Sequence, residues 1–265
     1  GHSMQTKRIF SAFAFTLLTI LLLLVVASRT SEAAQADGST IIDANLGAAM
    51  QSPTAQAVMP GGKEDTQTTM EEKPDIDISS WEYIIAGPDN NIGTYTPPQV
   101  VAIENTAQYF DERAITPLVD FLNAARAAGY SPYIMTAYRS YSTQEYILNG
   151  RASQIAWPEY PTAEDYAEAE QYVAPPGESD HQTGLGLDIT DRYYSTMDAS
   201  QMDQNFLTWL RENCADYGFI LRYPSDKSAI TERDEPWHFR YVGVEAARYI
   251  MDNNLCLEQF IALYE

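Results

Sequence analysis

The stretch SDHQTGLGLD, residues 179–188, is the part of the chain around which the predicted fold and site are organised. It contains one of only three histidines in the 265 residues. Of the other two, His2 lies in an opening Gly-His-Ser-Met, which is typical of an expression-tag remnant ahead of a native start at Met4. That interpretation leaves His181 and His238 as the native histidines, and each has carboxylates close to it in sequence.

Residues 184–190 alternate in a way that predicts a β-strand. One face of this strand is apolar and consists of Leu185, Leu187 and Ile189. The opposite face consists of Gly184, Gly186 and Asp188. Because glycine has no side chain, a ligand or another backbone can come close to the Asp188 carboxylate.

A second motif, EPWH at residues 235–238, leads into a predicted strand over 237–242. A catalytic zinc ion takes three protein ligands and keeps one position for water. We therefore predict His181, Asp188 and His238 as zinc ligands and Glu235 as a general base. A cation is needed beside the oxyanion that forms, and Arg139, at the end of a predicted strand from Tyr133, is the candidate.

The rest of the chain after residue 79 mixes predicted helices with strands and shows no regular βαβ alternation. Helices are predicted near 111–128, 142–151, 163–172, 205–217 and 244–253. A further strand is predicted at 219–223, and a strand or extended edge at 81–85. This pattern predicts an α+β domain. The formal net charge of −21 argues against nucleic acid or an anionic membrane surface as the main partner.

The N-terminal part differs in composition from the rest of the chain. Lys7 and Arg8 precede an apolar run from Ile9 to Ala27, a pattern typical of a signal peptide or a membrane anchor. We predict three parts: residues 1–28 as tag remnant and signal peptide or anchor, 29–78 as a low-complexity spacer, and 79–265 as the folded domain. Export is predicted in either case, whereas cleavage of the segment is left open.

The chain has two cysteines, Cys214 and Cys256, and neither lies in a motif typical of metal binding. In an exported protein they could form one disulfide, which we favour slightly. The alternative is two separate buried thiols that pack as small apolar side chains.

Several motifs occur together: YRS at 138–140 with Gln144, SxH at 179–181 followed by Asp188, Trp209-Leu210, GFILRYP at 218–224, and EPWHxRYVG at 235–243. Over residues 79–249 this combination resembles the VanY-type D-alanyl-D-alanine carboxypeptidases, zinc peptidases that trim peptidoglycan stem peptides. The resemblance implies a central antiparallel sheet carrying one zinc ion.

The resemblance also implies roles for single residues. His181, Asp188 and His238 match the zinc ligands, Glu235 the base, and Arg139 the arginine that stabilises the substrate or the oxyanion. Gln144 and Ser179 match residues that help to hold the terminal D-alanine carboxylate. Apart from the resemblance, the position of Trp237 between base and ligand favours a wall of the site over a plain core residue. One departure is Gly186, where the family more often has alanine, and from the similar sizes we expect little consequence.

We therefore predict an exported zinc D,D-carboxypeptidase, monomeric, that removes a C-terminal D-alanine from cell-wall stem peptides. An L,D-carboxypeptidase or a D,D-endopeptidase acting on the same wall is an alternative. A rival from another class is a wall-binding module that keeps the fold without turnover. Against it, binding alone does not need Glu235 and Arg139.

Overall fold

The computed structural model of the protein describes residues 72–265. The strands are β1 (Val100–Ala102), β2 (Tyr109–Asp111), β3 (Tyr133–Thr136), β4 (Gly186–Thr190), β5 (Phe219–Tyr223) and β6 (Glu235–Tyr241). The helices are α1 (Ile115–Ala127), α2 (Tyr141–Ala156), α3 (Ala163–Glu170), α4 (Gln204–Asn213), α5 (Ser228–Thr231), α6 (Val244–Asp252) and α7 (Leu257–Ile261). Short 3-10 turns occur between them, including Asp180–Thr183 directly before β4. The predicted α+β class is confirmed.

The central sheet has four strands in the order β3-β4-β6-β5, and every neighbouring pair is antiparallel. In the register of β4 with β6, Asp188 lies directly opposite His238. Residues paired across antiparallel strands point to the same face of a sheet. The sheet therefore brings two of the predicted zinc ligands together although fifty positions separate them in sequence.

The apolar face of the sheet packs against helices α1 and α4. Phe121 of α1 is fully buried and lies against four aromatic rings, those of Trp209, Tyr217, Phe219 and Phe239. Leu187 of β4 and Leu210 of α4 belong to the same core. This packing fixes β4 and β6 from below, so the polar residues on their other face have defined positions.

A second core lies on the opposite face, where Ile220 of β5 packs against α6 and α7. The N-terminal described residues join it, since the Lys73 ammonium donates to the Leu263 carbonyl at 2.6 Å and the Tyr264 hydroxyl to the Pro74 carbonyl at 2.6 Å. The predicted strand at 81–85 is wrong: Trp81–Tyr83 forms a 3-10 turn. The aromatic rings of this turn pack against the two cores, Trp81 on Tyr241 and Tyr83 on Phe260.

The favoured disulfide is also wrong, because Cys214 and Cys256 are both free and buried. Cys214 belongs to the core beneath the sheet, whereas Cys256 precedes α7. Burial raises the pKa of the Cys214 thiol to about 12, so this group packs as a neutral side chain.

The predicted signal or anchor segment lies outside the described residues, as does nearly all of the predicted spacer. From residue 72 onward, none of the helices has both the length and the apolar character needed to cross a bilayer.

Candidate active site

A cavity of about 400 Å³ opens at the polar face of the sheet. All eight residues predicted from the sequence line it: Arg139, Gln144, Ser179, His181, Asp188, Glu235, Trp237 and His238. They come from the end of β3, from α2, from the turn before β4, and from β4 and β6. The fold thus assembles in one place groups that are up to 99 positions apart in sequence.

The three predicted zinc ligands form a compact buried group. One donor atom from each of His181, Asp188 and His238 lies within 4.8 Å of the other two. The His181 Nε2 atom is 3.5 Å from Asp188 Oδ2, and His238 Nδ1 is 2.8 Å from Asp188 Oδ1. Within residues 72–265 no other cluster of His, Cys, Asp or Glu has this geometry.

The second nitrogen of each imidazole has a partner of its own. His181 Nδ1 donates to the Ala137 carbonyl oxygen at 2.8 Å, and His238 Nε2 donates to Asp180 Oδ2 at 3.0 Å. Metal-binding histidines are usually held in this way, with one ring nitrogen anchored and the other free for the metal. The donor set, its burial and the anchored rings therefore fit a zinc ion.

The titration of the three side chains is set by their surroundings. Burial, followed by the charge of Arg139, lowers the pKa of His181. Burial alone would lower the pKa of His238 too, but hydrogen bonds to Asp180 and Asp188 raise it to about 9. For Asp188, burial is outweighed by the two histidines, and its pKa lies well below its ordinary value.

Sequence reasoning missed Asp180, whose side chain is fully buried. Its Oδ1 atom accepts from Arg240 at 2.6 Å and lies 3.5 Å from Arg222 Nε. Burial would raise the pKa of this carboxyl, but Arg240, His238 and Arg222 hold it far below its usual range. Arg222 and Arg240 are both buried in ion pairs with this carboxylate.

Glu235 lies at the rim of the ligand group, at the start of β6. Its Oε2 atom is 3.7 Å from His238 Nδ1, and its side chain is 23 % exposed, which leaves it open to water in the cavity. The Arg233 guanidinium lies 3.3 Å from the other carboxylate oxygen and orients the group. Arg233 was also missed, although it lines the same cavity two residues before the predicted base.

Arg139 contributes a second cation to the cavity. Its backbone N–H donates to the His181 carbonyl at 3.2 Å, which ties its position to that of a ligand. Its Nε atom is buried without a hydrogen-bond partner among the described residues. Burial lowers the pKa of this guanidinium and Asp188 raises it, yet an arginine remains charged at neutral pH.

Gln144 and Ser179 lie on the wall formed by α2 and the turn before β4. The Gln144 Nε2 atom donates to the Ala174 carbonyl at 2.7 Å, and its Oε1 atom is buried with no partner among the described residues. The Oε1 atom is an acceptor, so it repels a carboxylate and attracts an N–H group. On the Gln144 side chain, only the Nε2 proton that is not bonded to Ala174 could therefore donate to a carboxylate. Ser179 is buried and its hydroxyl makes no capping bond to the turn.

Two aromatic side chains complete the walls. Trp237 is partly buried and packs on Tyr194, Met202 and Leu207, so one of its faces supports the core and the residue also lines the cavity. The Tyr223 ring lies 4.9 Å from the His238 ring and is almost fully buried. Burial raises the pKa of Tyr223, so its hydroxyl stays protonated and can act as a donor.

A buried His/Asp/His group with a carboxylate and a free cation beside it, at the bottom of a cavity, defines the class of metallopeptidase-like sites. The sequence profile of the VanY D-alanyl-D-alanine carboxypeptidases matches residues 107–244, a span that contains the whole group. A D-alanyl-D-alanine carboxypeptidase of Enterococcus faecalis is 37 % identical over 201 residues, which are 75 % of this chain and 72 % of that protein. The chain belongs to the VanY family of D-alanyl-D-alanine carboxypeptidases.

Solved structures agree with this assignment. A mutant of the vancomycin-resistance D,D-pentapeptidase VanY from a VanB-type cassette, in complex with Zn(II), aligns with a TM-score of 0.58 and 36 % identity, covering 69 % of this chain and 99 % of that one. VanYB in complex with D-alanine-D-alanine gives 0.59 and 35 %, covering 70 % and 100 %. The LD-carboxypeptidase LdcB gives 0.53 and 32 %, covering 65 % and 84 %.

Proposed function

We propose that this chain is a zinc-dependent D,D-carboxypeptidase that hydrolyses the C-terminal D-alanine from peptidoglycan stem peptides. The observation that carries the proposal is the buried group of His181, Asp188 and His238 with Glu235 Oε2 only 3.7 Å from a ligand nitrogen. His181 Nε2, an Asp188 oxygen and His238 Nδ1 would hold the ion. Zinc bound there lowers the pKa of a water molecule to about 7 and polarises a carbonyl group.

Glu235 performs the proton transfers. Its Oε2 atom accepts a proton from the attacking water while the water oxygen bonds to the peptide carbonyl carbon. It then returns this proton to the amine nitrogen as the C–N bond breaks, so the products are a shortened peptide and free D-alanine. Arg233 keeps the other carboxylate oxygen in place, so that Oε2 points towards the ligand group.

The cations of the cavity suit a substrate that ends in a carboxylate. Basic residues are scarce in this chain, with 16 Lys and Arg against 37 Asp and Glu, yet the cavity contains both Arg139 and Arg233. The unpartnered Arg139 Nε atom needs an acceptor, which the substrate carboxylate or the developing oxyanion supplies. The Ser179 hydroxyl donates to the terminal carboxylate, as expected from the sequence. For Gln144, also expected to hold that carboxylate, the unpartnered Oε1 atom favours a different contact, in which it accepts an N–H of the peptide.

An L,D-carboxypeptidase acting on tetrapeptide stems is the second candidate. The similarity to the LD-carboxypeptidase LdcB, at 32 % identity, favours it, because the same proton transfers serve either peptide bond. A D,D-endopeptidase on the same wall uses this chemistry too. The rival without turnover is opposed by Glu235, which a binding module does not need beside the ligand group.

The proposed location is outside the cytoplasm, where peptidoglycan lies. We propose that residues 1–28 comprise a tag remnant and a signal peptide or anchor, and that the following residues form a spacer to a monomeric domain. The contacts of Lys73 and Pro74 with the C-terminal residues support a domain that starts a few residues before Ser79.

The test is hydrolysis of a purified pentapeptide substrate. Chelator is expected to abolish release of D-alanine, and stoichiometric zinc to restore it. Glu235→Gln should lower kcat by about 10²- to 10⁴-fold, the usual contribution of a general base. Glu212→Gln, on the exposed side of α4, is the matched control and should leave kcat unchanged. Unchanged hydrolysis in Glu235→Gln would overturn the assigned role.

A further inference from the structure

The Asp180 carboxylate is placed to act on the zinc site without touching zinc. Its side chain is 0 % exposed, and Oδ2 accepts from His238 Nε2 at 3.0 Å. Asp180 is not one of the three residues of the ligand group, and the opposite nitrogen of the same ring, Nδ1, is the one that faces Asp188. A charged acceptor on Nε2 keeps a proton on that nitrogen, so Nδ1 is the nitrogen that gives up its proton when a metal binds.

We propose that Asp180 is a positioning residue that fixes the tautomer and orientation of His238, and that Gly186 provides the space it requires. The inference rests on the proposed zinc site. It changes the expectation for Gly186, which was treated as a harmless departure from the alanine more common in the family.

Gly186 is adjacent to both partners of this hydrogen bond. A Cβ atom at this position would overlap with Asp180 Oδ2, and it would lie 3.2 Å from Asp180 Cγ and 3.0 Å from His238 Nε2. The Gly186 backbone is in strand β4 and does not have a positive φ, so alanine could adopt its conformation. The glycine is therefore required for space and not for backbone freedom.

If alanine replaced Gly186, the displaced Asp180 carboxylate would have no room to adjust, because the arginines around it are held by other hydrogen bonds. Arg240 donates to the carbonyls of Glu82 and Ile84 at 2.8 and 2.6 Å as well as to Asp180. Arg222 donates to both Glu258 oxygens at 3.0 and 2.6 Å. Asp180 also has a short side chain, so a shift away from Gly186 would break its bond to His238.

The energetic cost of the arrangement points to a function. Burying one carboxylate between two arginines is seldom the most stable way to fill a core, since a packed apolar cluster is often as stable or better. The benefit lies in the position of His238: outer partners of a metal-binding histidine typically change metal affinity or activity by about 10- to 100-fold.

Two variants test the proposal by different routes. Asp180→Asn keeps the shape of the side chain, but one of its two oxygen acceptors becomes an NH₂ donor. In one orientation this NH₂ group faces the N–H of His238 Nε2, and in the other it faces the Arg240 guanidinium, so one hydrogen bond is lost in either case. Gly186→Ala keeps every charge and displaces the carboxylate. Glu258→Gln is the control, because it weakens the outer Arg222 pair and does not touch His238. Thermal melting and circular dichroism of the metal-free proteins establish that each variant is folded.

The readout is the zinc dissociation constant, measured by competition with a chromophoric chelator, together with ¹⁵N NMR of the histidine tautomers in the zinc-loaded proteins. We expect zinc to bind about 10- to 100-fold more weakly in both variants and within twofold of wild type in the control. The wild-type spectrum should show His238 protonated on Nε2. Zinc affinity equal to wild type in both variants, with only the melting temperature lowered, would overturn the role of Asp180 and Gly186. Failure of the wild type itself to bind zinc would instead contradict the proposed function.

Discussion

Zinc that binds to the metal-free protein must displace a proton from His238, and this exchange makes zinc affinity depend on pH. Hydrogen bonds to Asp180 and Asp188 outweigh burial and raise the pKa of His238 to about 9, so the ring is a cation at neutral pH. The pKa of His181 is lowered by burial and by Arg139, and that of Asp188 by the two histidines. At neutral pH these two ligands are therefore deprotonated, and His238 is the one that must lose a proton.

The size of the pH dependence of zinc affinity follows from the pKa of His238. Below about 9, each unit of pH lowers the fraction of neutral ring tenfold, so the apparent zinc affinity should fall about 100-fold between pH 8 and pH 6. A zinc-bound water, with a pKa of about 7, contributes a further proton only at higher pH. At pH 6, His238 alone therefore accounts for about one proton released per zinc bound.

Isothermal titration calorimetry in two buffers of different ionisation enthalpy measures this count. Zinc titrated into a chelator of known proton release calibrates the buffers. No proton released at pH 6, or an affinity that stays constant between pH 6 and pH 8, would refute the assigned state of His238.

Three further results are expected. The metal-free protein should lose up to about 3 kcal/mol of its free energy of unfolding as pH rises, because the pKa of His238 in the folded state, about 9, lies above the ordinary value of about 6.5. This contribution to stability is complete below about pH 6.5 and is lost above about pH 9. Urea unfolding at several pH values measures it. Arg139→Lys should lower kcat/KM for the pentapeptide by about 10²- to 10³-fold with unchanged zinc affinity, since lysine lacks the planar fork, and activity near wild type would contradict this. Phe121→Ala should cost about 3–5 kcal/mol in unfolding experiments, because a fully buried ring beneath the sheet is lost, and a cost below about 1 kcal/mol would refute its place in the core.

The zinc ligands could be predicted from sequence because their residue types are rare and their strands show a simple pattern. Only two histidines follow the N-terminal tetrapeptide, and the alternation around Asp188 placed its carboxylate on the open face of a strand. The register of β4 with β6, which sets Asp188 opposite His238, then required only that the two predicted strands be neighbours.

Asp180 could not be predicted in the same way, although it lies beside His181. Its partners Arg222 and Arg240 are 42 and 60 positions further along the chain, and nothing local distinguishes a buried carboxylate from an exposed one. The strand expected at 81–85 failed for a similar reason. Its carbonyls at Glu82 and Ile84 accept from Arg240, so tertiary contacts override the strand propensity of an aromatic run.

Digestion of purified muropeptides by the zinc-loaded protein, followed by mass spectrometry, tests the central claim most directly. Pentapeptide stems should lose one alanine, tetrapeptide stems should stay intact, and Glu235→Gln should give no product on the same timescale. Shortening of tetrapeptides alone would establish the L,D activity instead. Intact substrates of both kinds with the zinc-loaded wild type would contradict the carboxypeptidase account.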